Sequence, residues 1–365
     1  MYRDTGGGYK GRYKSGWGGH AVRVAETGSD KYDKVAVNIA RNPIMSSSDV
    51  TLQNVYQARK RISALVRETP LVSSQTLGER SDAQIVLKLE TVQETGTFKV
   101  RGAANKILSL SPEQRARGVV TASTGNHGRA VSHVARQVGI PAVVCISERV
   151  PQNKVQALRR TGAEVVIEGQ GQDEAAERAL ALAQERGLTM VHPFDDPLVI
   201  AGQGTIGLEL LEALPDVDSV LVPLSGGGLI SGIAVALKAA SPTIRVVGVS
   251  MERSPVMYHS LQAGQPVQMA EEETLADSLL GGIGLDNRHT FRIVNELVDD
   301  VLLVSEEEIA GAMAFLLREQ SLVVEGAGAV GVAALLSGKL SVTGERVAVI
   351  ISGGNVALSR LLDVV

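Results

Sequence analysis

Short β-branched runs alternate with helix-like segments from about residue 50 to the end of the chain. Seven such runs are QIVLKLE, GVVTAS, AVVCIS, AEVVIEG, SVLVPLS, IRVVGVS and VAVIIS. Runs of this kind are typical of buried strands, and the periodic segments between them are typical of crossover helices. The segment SEEEIAGAMAFLLREQ opens with Ser305 and Glu308 in capping-box spacing, which supports the helical half of the pattern. The alternation predicts an α/β fold with a largely parallel sheet.

Composition excludes several classes of protein. The 365 residues carry a formal net charge of −4 with both signs interspersed, so no broad cationic face predicts nucleic-acid binding, and small polar substrates are the expected partners. Cys145 is the one cysteine and lies in an apolar run, which excludes a disulfide framework and a cysteine-rich metal site. No apolar stretch reaches the roughly 18 residues that would span a bilayer, and no signal segment opens the chain. We therefore expect a cytoplasmic protein without a membrane partner.

Residues 1–45 differ from the rest of the chain. They are rich in glycine and basic residues and show no sustained apolar period, so they are predicted to form a flexible leader, with Met45 as the natural start. A nucleic-acid-binding arm is the alternative, and its residues would be Lys10, Arg12, Lys14 and Trp17. The chain ends shortly after SGGNV, so we expect no C-terminal ligand-sensing domain.

A glycine-rich turn follows the run SVLVPLS. It consists of one serine and three glycines, Ser225, Gly226, Gly227 and Gly228, and a helix is expected from near Leu229. Consecutive glycines let several backbone N–H groups converge on one anion at the positive end of a helix dipole, which predicts a phosphate site. A tight turn without a ligand is one alternative. A dinucleotide fingerprint with Glu252 on the ribose is another, although Ser231 stands where that motif needs glycine.

Small polar residues follow two other strands. Ser123, Thr124 and Asn126 come after GVVTA, where their side chains and the free amides of a helix start would bind a carboxylate or a phenolate-type oxygen. Simple capping of that helix is the alternative. After VAVII, Ser352 would form one hydrogen bond in the crevice, and Asn355 is expected to cap the next helix. His127 and His133 are expected to be packing or surface residues rather than catalysts.

Lys99 lies in ETGTFKVRGA, between a strand and an alanine-rich helix. Taken alone, it would be a solvated lysine at a helix start. The glycine-rich turn and the small polar residues, however, also follow strands, and open α/β sheets bind ligands at the carboxyl ends of their strands. A desolvated lysine beside a phosphate-binding turn predicts a Schiff base to pyridoxal 5′-phosphate.

The motifs TFKVRGA, ASTGNHGRA, SGGGLISG, EGAGAVGVAAL and ISGGNV occur in an order that resembles the fold-type II pyridoxal-phosphate enzymes, in their threonine and serine dehydratase branch. The similarity covers about residues 50–360, and overall it points to the dehydratases of hydroxyectoine utilisation. It implies two open parallel-sheet α/β domains with the cofactor in the cleft between them. The small mobile domain would comprise residues 116–196, and the large one residues 46–115 and 197–365. It also implies a homodimer or homotetramer.

The resemblance implies roles for individual residues. Lys99 would bind the cofactor covalently and act as the base, and Thr124 would be the second catalytic residue. Asn126 would bond the phenolic oxygen and Ser352 would face the pyridine nitrogen. The implied cofactor contacts are Phe98, Lys99, Asn126, Ser225, Gly226, Gly227, Gly228, Leu229 and Ser352. The implied contacts of the substrate carboxylate are Ser123, Thr124, Gly125 and His127.

The implied reaction is β-elimination of water from a 3-hydroxy amino acid such as L-threonine or L-serine, giving a 2-oxo acid and ammonia. Ser352 is a neutral partner for the pyridine nitrogen, which favours prompt elimination over a long-lived carbanion. Thr124 keeps a hydroxyl where related racemases have serine, so a serine or hydroxyaspartate racemase is an alternative. A nucleotide-binding regulatory protein is the non-enzymatic alternative.

The sequence departs from the family pattern at several positions. Thr97 replaces a serine, Ser225 replaces the first glycine of the phosphate loop, and Ser278 replaces a glycine, which leaves the substrate open. Relatives with a divalent-cation site carry a glutamate and, six residues on, an aspartate. Here Glu252 is followed at that distance by Tyr258, so no metal site of that kind is expected.

Overall fold

The computed structural model describes residues 50–364 except Thr124 and Pro151. The predicted leader, residues 1–45, and the predicted catalytic residue Thr124 lie outside the described residues.

Ten strands and fourteen α-helices form within that part of the chain. The strands are β1 Leu71–Ser73, β2 Gln84–Leu89, β3 Val119–Ala122, β4 Ala142–Ile146, β5 Glu164–Ile167, β6 Thr189–Met190, β7 Ser219–Pro223, β8 Arg245–Met251, β9 Asp300–Val304 and β10 Arg346–Ile351. The helices are α1 Leu52–Ile62, α2 Gln75–Ser81, α3 Lys99–Leu108, α4 Pro112–Arg117, α5 Asn126–Gln137, α6 Gln152–Arg160, α7 Gln172–Arg186, α8 Pro197–Ala213, α9 Gly228–Ala240, α10 Val256–Ala263, α11 Thr290–Leu297, α12 Glu306–Gln320, α13 Gly326–Leu336 and α14 Leu358–Leu362.

The strands form two sheets. A six-stranded sheet has the order β1-β2-β10-β7-β8-β9, and a four-stranded sheet has the order β5-β4-β3-β6. All pairings are parallel except that of β1 with β2, and Val349 of β10 lies opposite Leu87 on one side and Leu221 on the other. Each of the seven predicted runs forms a strand, so the prediction of an α/β fold with parallel sheets is confirmed. The domain boundaries at residues 116 and 196 stay a prediction.

The capping box predicted for α12 is present, because the Ser305 hydroxyl accepts from the Glu308 amide and the Glu308 carboxylate accepts from the Ser305 amide. Helix α13 is apolar on all sides. This fits its position, because its residues Gly326–Leu335 are buried in the core that packs on the larger sheet. Among the described helices, none is both long and apolar enough to cross a membrane.

Helices α3 and α8 cross in direct contact. A Cβ added to Gly202 would lie 2.6 Å from the Arg101 carbonyl oxygen and 2.7 Å from Gly102 Cα, so the crossing requires glycine there. Lys106 Nζ lies 2.6 Å from the Asp196 carboxylate, which also caps the start of α8. The crossing therefore brings the first residue of α3, Lys99, close to the loop that precedes α8.

Candidate active site

Lys99 is the first residue of α3 and is half-buried. Its Nζ donates to the Pro193 carbonyl oxygen at 2.8 Å and lies 5.2 Å from the centroid of the Phe98 ring. Burial lowers the pKa of Lys99 to about 8, although the charge of Glu325 acts in the opposite direction. A lysine of this kind is partly neutral near physiological pH, as a nucleophile or a proton acceptor must be.

The turn before α9 needs glycine at successive positions. Gly227 has φ +85°, in the left-handed region, and a Cβ added to Gly226 would collide with the ring of Phe194. A Cβ on Gly228 would lie 2.9 Å from Phe194 Cα. The first N–H groups of a helix have no intrahelical acceptor, so the start of α9 can bind an anion, as the sequence predicts. Leu229 is buried in the first turn of the same helix.

The loop of residues 193–195 contacts both Lys99 and the glycine turn before α9, and sequence reasoning missed it. Pro193 accepts from Lys99, Phe194 packs on the glycine turn, and the Asp195 carboxylate accepts from the His289 and Thr290 amides at 2.9 Å each. Asp195 therefore anchors the loop to the start of α11. The motif HPFDD gave no periodic or glycine signal that would have indicated this position.

Among the described residues of the turn before α5, no side chain caps the helix. Gly125 is the N-cap residue without a side-chain cap, and its amide only approaches Ser123 Oγ at 3.4 Å. The Asn126 side chain instead donates through Nδ2 to Glu325 Oε1 at 2.8 Å and accepts through Oδ1 from Asn355 Nδ2 at 2.8 Å. Capping by Ser123, Thr124 or Asn126 is the alternative from the sequence. Capping by Ser123 or Asn126 does not account for these contacts, and Thr124 lies outside the described residues.

Asn355 does not cap a helix, so that prediction is wrong. The chain after β10 stays irregular, and α14 begins at Leu358 with Ala357 as its N-cap residue. The Asn355 amide donates to the Thr95 carbonyl oxygen at 2.9 Å as well as to Asn126. The Asn355 side chain therefore bonds residues that are distant in sequence instead of capping the helix that follows it.

Glu325 was also missed from the sequence. It precedes α13, is 5% exposed, and its amide donates to the Gly353 carbonyl oxygen at 3.1 Å. Burial raises the pKa of Glu325 to about 7, against the hydrogen bond from Asn126 that lowers it. A lone acid directly before the all-apolar segment GAGAVGVAALL was the available signal, because that segment must be buried. The carboxyl group can hold or release a proton near neutral pH.

Ser352 and Phe98 lie together at the end of β10. The Phe98 amide donates to the Ser352 carbonyl oxygen at 3.0 Å, and Thr97 forms an isolated bridge with Gly353. Ser352 is buried, as is Thr97, whose Oγ1 has no hydrogen-bond partner within residues 50–364 as described. The segment that carries Lys99 is therefore paired directly with the segment that carries Ser352.

His127 is buried, and its Nε2 lies 2.9 Å from the Val191 carbonyl oxygen. Burial lowers the pKa of His127 to about 3, so the ring is neutral and Nε2 is the donor. This agrees with a packing role for the ring.

The remaining positions that depart from the family pattern have local partners. Asn126 Nδ2 lies 3.4 Å from Ser278 Oγ, which places Ser278 beside the candidate site. Glu252 accepts from Lys339 Nζ at 3.2 Å, and Tyr258 packs edge-on against His259. In the part of the chain that the structure describes, no group of three or more His, Cys, Asp or Glu side chains is placed to hold a metal ion.

Comparison with known proteins gives the class to which this site belongs. Residues 62–353 match the family of pyridoxal-phosphate dependent enzymes. A Sinorhizobium fredii protein, named provisionally as a threonine dehydratase, is 50% identical over 318 residues, which cover 87% of this chain and 96% of the relative. The L-threonine ammonia-lyase of Thermotoga maritima is 46% identical over 86% of this chain and 77% of its own. The structure of maize serine racemase superposes with a TM-score of 0.81 and 35% identity, over 86% and 96% of the two chains.

The chain belongs to the pyridoxal-phosphate dependent enzymes. It is a fold-type II member related to the threonine dehydratases, and the predictions of this fold, this cofactor and a lyase of this kind are confirmed.

The residues present fit the cofactor. The turn at Gly226 and Gly227 has no room for a Cβ and opens a helix, as a phosphate cradle requires. Lys99, with its pKa lowered to about 8, suits the aldehyde carbon. Ser352, buried at the end of β10, and Asn126, at the start of α5, carry the neutral polar groups that a pyridine nitrogen and a phenolic oxygen need.

Proposed function

We propose that the protein is an L-threonine ammonia-lyase that removes water from L-threonine, and from L-serine as a second substrate, to give a 2-oxo acid and ammonia. The observation that carries the proposal is the half-buried amine of Lys99, which donates to the Pro193 carbonyl oxygen, feels the charge of Glu325 and has its pKa lowered to about 8. The similarity to the ammonia-lyase of Thermotoga maritima supports the choice of substrate.

Pyridoxal phosphate, when bound, holds the substrate amine covalently and withdraws electrons from the bond between Cα and its hydrogen. Lys99 would anchor the cofactor through its amine, and the free amine would accept the Cα proton of the substrate. Burial favours its neutral form, so the amine is available as a base near neutral pH. Its hydrogen bond to Pro193 limits the directions in which the amine can point.

The other proposed cofactor contacts come from the turns that follow β7 and β10 in the six-stranded sheet and from the start of α5. The backbone of Ser225, Gly226, Gly227, Gly228 and Leu229 would bind the phosphate. Ser352 would supply a neutral partner for the pyridine nitrogen, which keeps electron withdrawal moderate and favours rapid elimination. Phe98 would border the ring, and Asn126 would bind the phenolic oxygen.

The substrate carboxylate binds at the start of α5, through Ser123, Thr124 and the backbone at Gly125 and His127. The unpaired amides at a helix start favour an anion there. Glu325 accepts a hydrogen bond from Asn126, and with its pKa raised to about 7 it is partly protonated at neutral pH. This supplies a buried acid close to the groups that receive the substrate.

A serine racemase is the second candidate, favoured by the similarity to the maize enzyme. Racemisation needs an acid on the face opposite Lys99, and the hydroxyl of Thr124 would supply it. The extra methyl group of threonine restricts χ1, and a capping bond would hold the hydroxyl, so we favour elimination. Chiral analysis of L-serine in deuterated water distinguishes the two reactions.

A panel of 3-hydroxy amino acids, assayed for ammonia and 2-oxo acid, tests the proposed function. L-Threonine should be turned over with the highest kcat/KM, and a colourless protein that turns over none of them would favour the nucleotide-binding regulatory alternative. The finer assignment to hydroxyectoine utilisation rests on the resemblance alone, and growth of a deletion strain on hydroxyectoine tests it. A cytoplasmic location and a homodimeric or homotetrameric state stay predictions, the latter open to light scattering.

A further inference from the structure

Four charged side chains form a buried cluster next to the first turn of α3. We call Lys88, Glu90, Arg101 and Glu209 the buried charge cluster, and each of them is at most 6% exposed. They come from the end of β2, the 3-10 turn Glu90–Val92, helix α3 and helix α8. None of them has a part in the proposed reaction.

Arg101 is the centre of the cluster. Its Nε and Nη2 donate to the two carboxylate oxygens of Glu90 at 2.8 Å each. Its Nη1 and Nη2 donate to the carboxylate oxygens of Glu209 at 2.5 and 2.8 Å. Lys88 Nζ lies 2.5 Å from Glu209 Oε2 and donates to the Thr69 carbonyl oxygen at 2.6 Å. Two cations and two carboxylates thus balance, and only a planar guanidinium can serve both carboxylates in bidentate geometry.

Stability alone does not explain this arrangement. Burial by itself favours the neutral acid, yet the guanidinium of Arg101 holds the pKa of Glu90 below its usual range, so the Glu90 carboxylate stays charged inside the protein. Removing ions from water is costly, and well-packed apolar side chains of similar volume often stabilise a fold as much or more. A fixed geometry is what the charged cluster provides and apolar residues do not.

The cluster fixes the position of the helix start that carries Lys99. Arg101 lies two residues after Lys99, while Glu90 begins the 3-10 turn that follows β2 and Glu209 belongs to α8. The same α8 begins at Pro197, four residues after Pro193, the carbonyl acceptor of Lys99. The Asn105 amide donates to the Leu198 carbonyl oxygen at 2.7 Å, which adds a second polar link between α3 and α8. Translation or rotation of α3 would break several of these bonds at once.

We propose that Arg101 is a positioning residue for Lys99, and that the buried charge cluster sets the direction of the Lys99 amine toward the reacting atoms. The inference rests on the proposed function, in which Lys99 is the covalent anchor and the base. A displacement of about 1 Å in a reacting group can lower a rate on the order of a hundredfold, so the device would matter without any contact to the substrate.

Two variants test the proposal in the holoenzyme. Arg101→Lys keeps the charge but cannot make both bidentate contacts. The fourfold variant Lys88→Met, Glu90→Met, Arg101→Met and Glu209→Met removes every charge of the cluster while keeping similar volume. Lys238→Met is the matched control, because it breaks the largely buried ion pair with Asp299 (2.5 Å) at the far end of α9.

The readouts are the thermal melting temperature, the rate at which borohydride traps the cofactor on Lys99, and kcat and KM for L-threonine. We expect the fourfold variant to melt at or above the wild-type temperature, yet to trap at least about tenfold more slowly and to lose kcat by about ten- to a hundredfold, with little change in KM. Arg101→Lys should also lower both kcat and the trapping rate. Lys238→Met should change melting only.

Native trapping rates and native kcat in either folded cluster variant would overturn the proposal. So would losses that merely follow the unfolded fraction at the assay temperature, because the cluster would then serve stability alone. If the fourfold variant does not fold, the trapping rate and kcat of Arg101→Lys decide whether the proposal holds. Trapping on Lys99 does not depend on the substrate, so a wild-type enzyme that traps normally but fails to deaminate L-threonine would refute the proposed function and leave this test intact.

Discussion

The turn before α9 and the turn before α5 both lead from the carboxyl end of a parallel strand into a helix, but they differ in how they are filled. Around Gly227 the chain has a positive φ and is enclosed by Met257, Thr290 and Val294. A Cβ added to Gly125, in contrast, would have no atom of the described residues within 4 Å apart from its chain neighbours, and the φ of Gly125 is −111°. The first turn is closed by packing at Gly227, and the second, which we call the open turn, is open at Gly125.

This difference indicates a division of labour. A closed turn made of backbone suits a cofactor phosphate that stays bound through many turnovers, since its amides are held in place by neighbours. An open turn suits a substrate that enters and leaves. Lys99 belongs to neither turn, and its amine is held by a hydrogen bond to Pro193, the residue before the Phe194 that packs on the turn before α9.

The largest effect is expected from Lys99→Ala. Turnover should fall at least about a thousandfold, because the variant lacks both the covalent anchor and the base. The fold should be kept, since the side chain is half-buried and belongs to no packed core. Ammonia release from L-threonine measures the loss, and melting temperature is the control. Unchanged ammonia release would remove Lys99 from the reaction.

Glu325→Gln probes the region behind the open turn through the pH dependence of stability. The pKa of Glu325 is raised to about 7, so the folded protein binds an extra proton between pH of about 4.5 and about 7. The free energy of unfolding of the wild type should therefore fall as pH rises through this window, by at most about 3 kcal/mol, and then stay level. The variant lacks this fall.

Urea unfolding of the cofactor-free protein at pH 5 and pH 8 measures the effect of Glu325→Gln. The variant should gain stability relative to the wild type on going from pH 5 to pH 8. An identical pH dependence in both proteins would mean that Glu325 ionises as an ordinary surface carboxyl.

A matched pair of alanine variants tests the comparison of the two turns directly. Gly227→Ala introduces a side chain at φ +85°, which costs roughly 1–2 kcal/mol, and brings Cβ to 3.0 Å from Met257 and Thr290. We expect cofactor affinity to fall by about tenfold or more. Gly125→Ala should leave cofactor affinity unchanged and raise KM for L-threonine. Equilibrium dialysis of the cofactor gives the first quantity. Equal cofactor loss in both variants would contradict the division of labour.

The smallest effect is expected from Thr124→Ala. Elimination should change by less than about threefold, because the hydroxyl is not the base in the proposed reaction. L-Serine incubated with the wild type in deuterated water should give the 2-oxo acid with little D-serine. Rapid build-up of D-serine, lost in Thr124→Ala, would instead identify a racemase.

Local pattern was enough to predict much of the fold and part of the site. The runs that became β2, β3, β4, β5, β7, β8 and β10 are β-branched and bounded by turns, and the glycines before α9 follow a strand, so short-range signals sufficed. Strand β9, DVLLV, was missed because its acidic start weakens the apolar run.

The rest of the site depends on contacts between distant parts of the chain. Asn126, Glu325 and Asn355 meet through hydrogen bonds across about two hundred residues of sequence, and none of their local patterns indicates the others. Arg101 in FKVRGA reads as an ordinary helix residue, yet it is 1% exposed and bound to two carboxylates. Local propensity predicts elements, but it does not predict which polar side chains those elements bury together.

The most direct test of the central claim is to reduce the holoenzyme with borohydride and identify the modified peptide by mass spectrometry. The account predicts a yellow protein that loses its colour on reduction and carries the pyridoxyl group on Lys99. Modification of a different lysine, or a colourless protein of full integrity after incubation with pyridoxal phosphate, would contradict it.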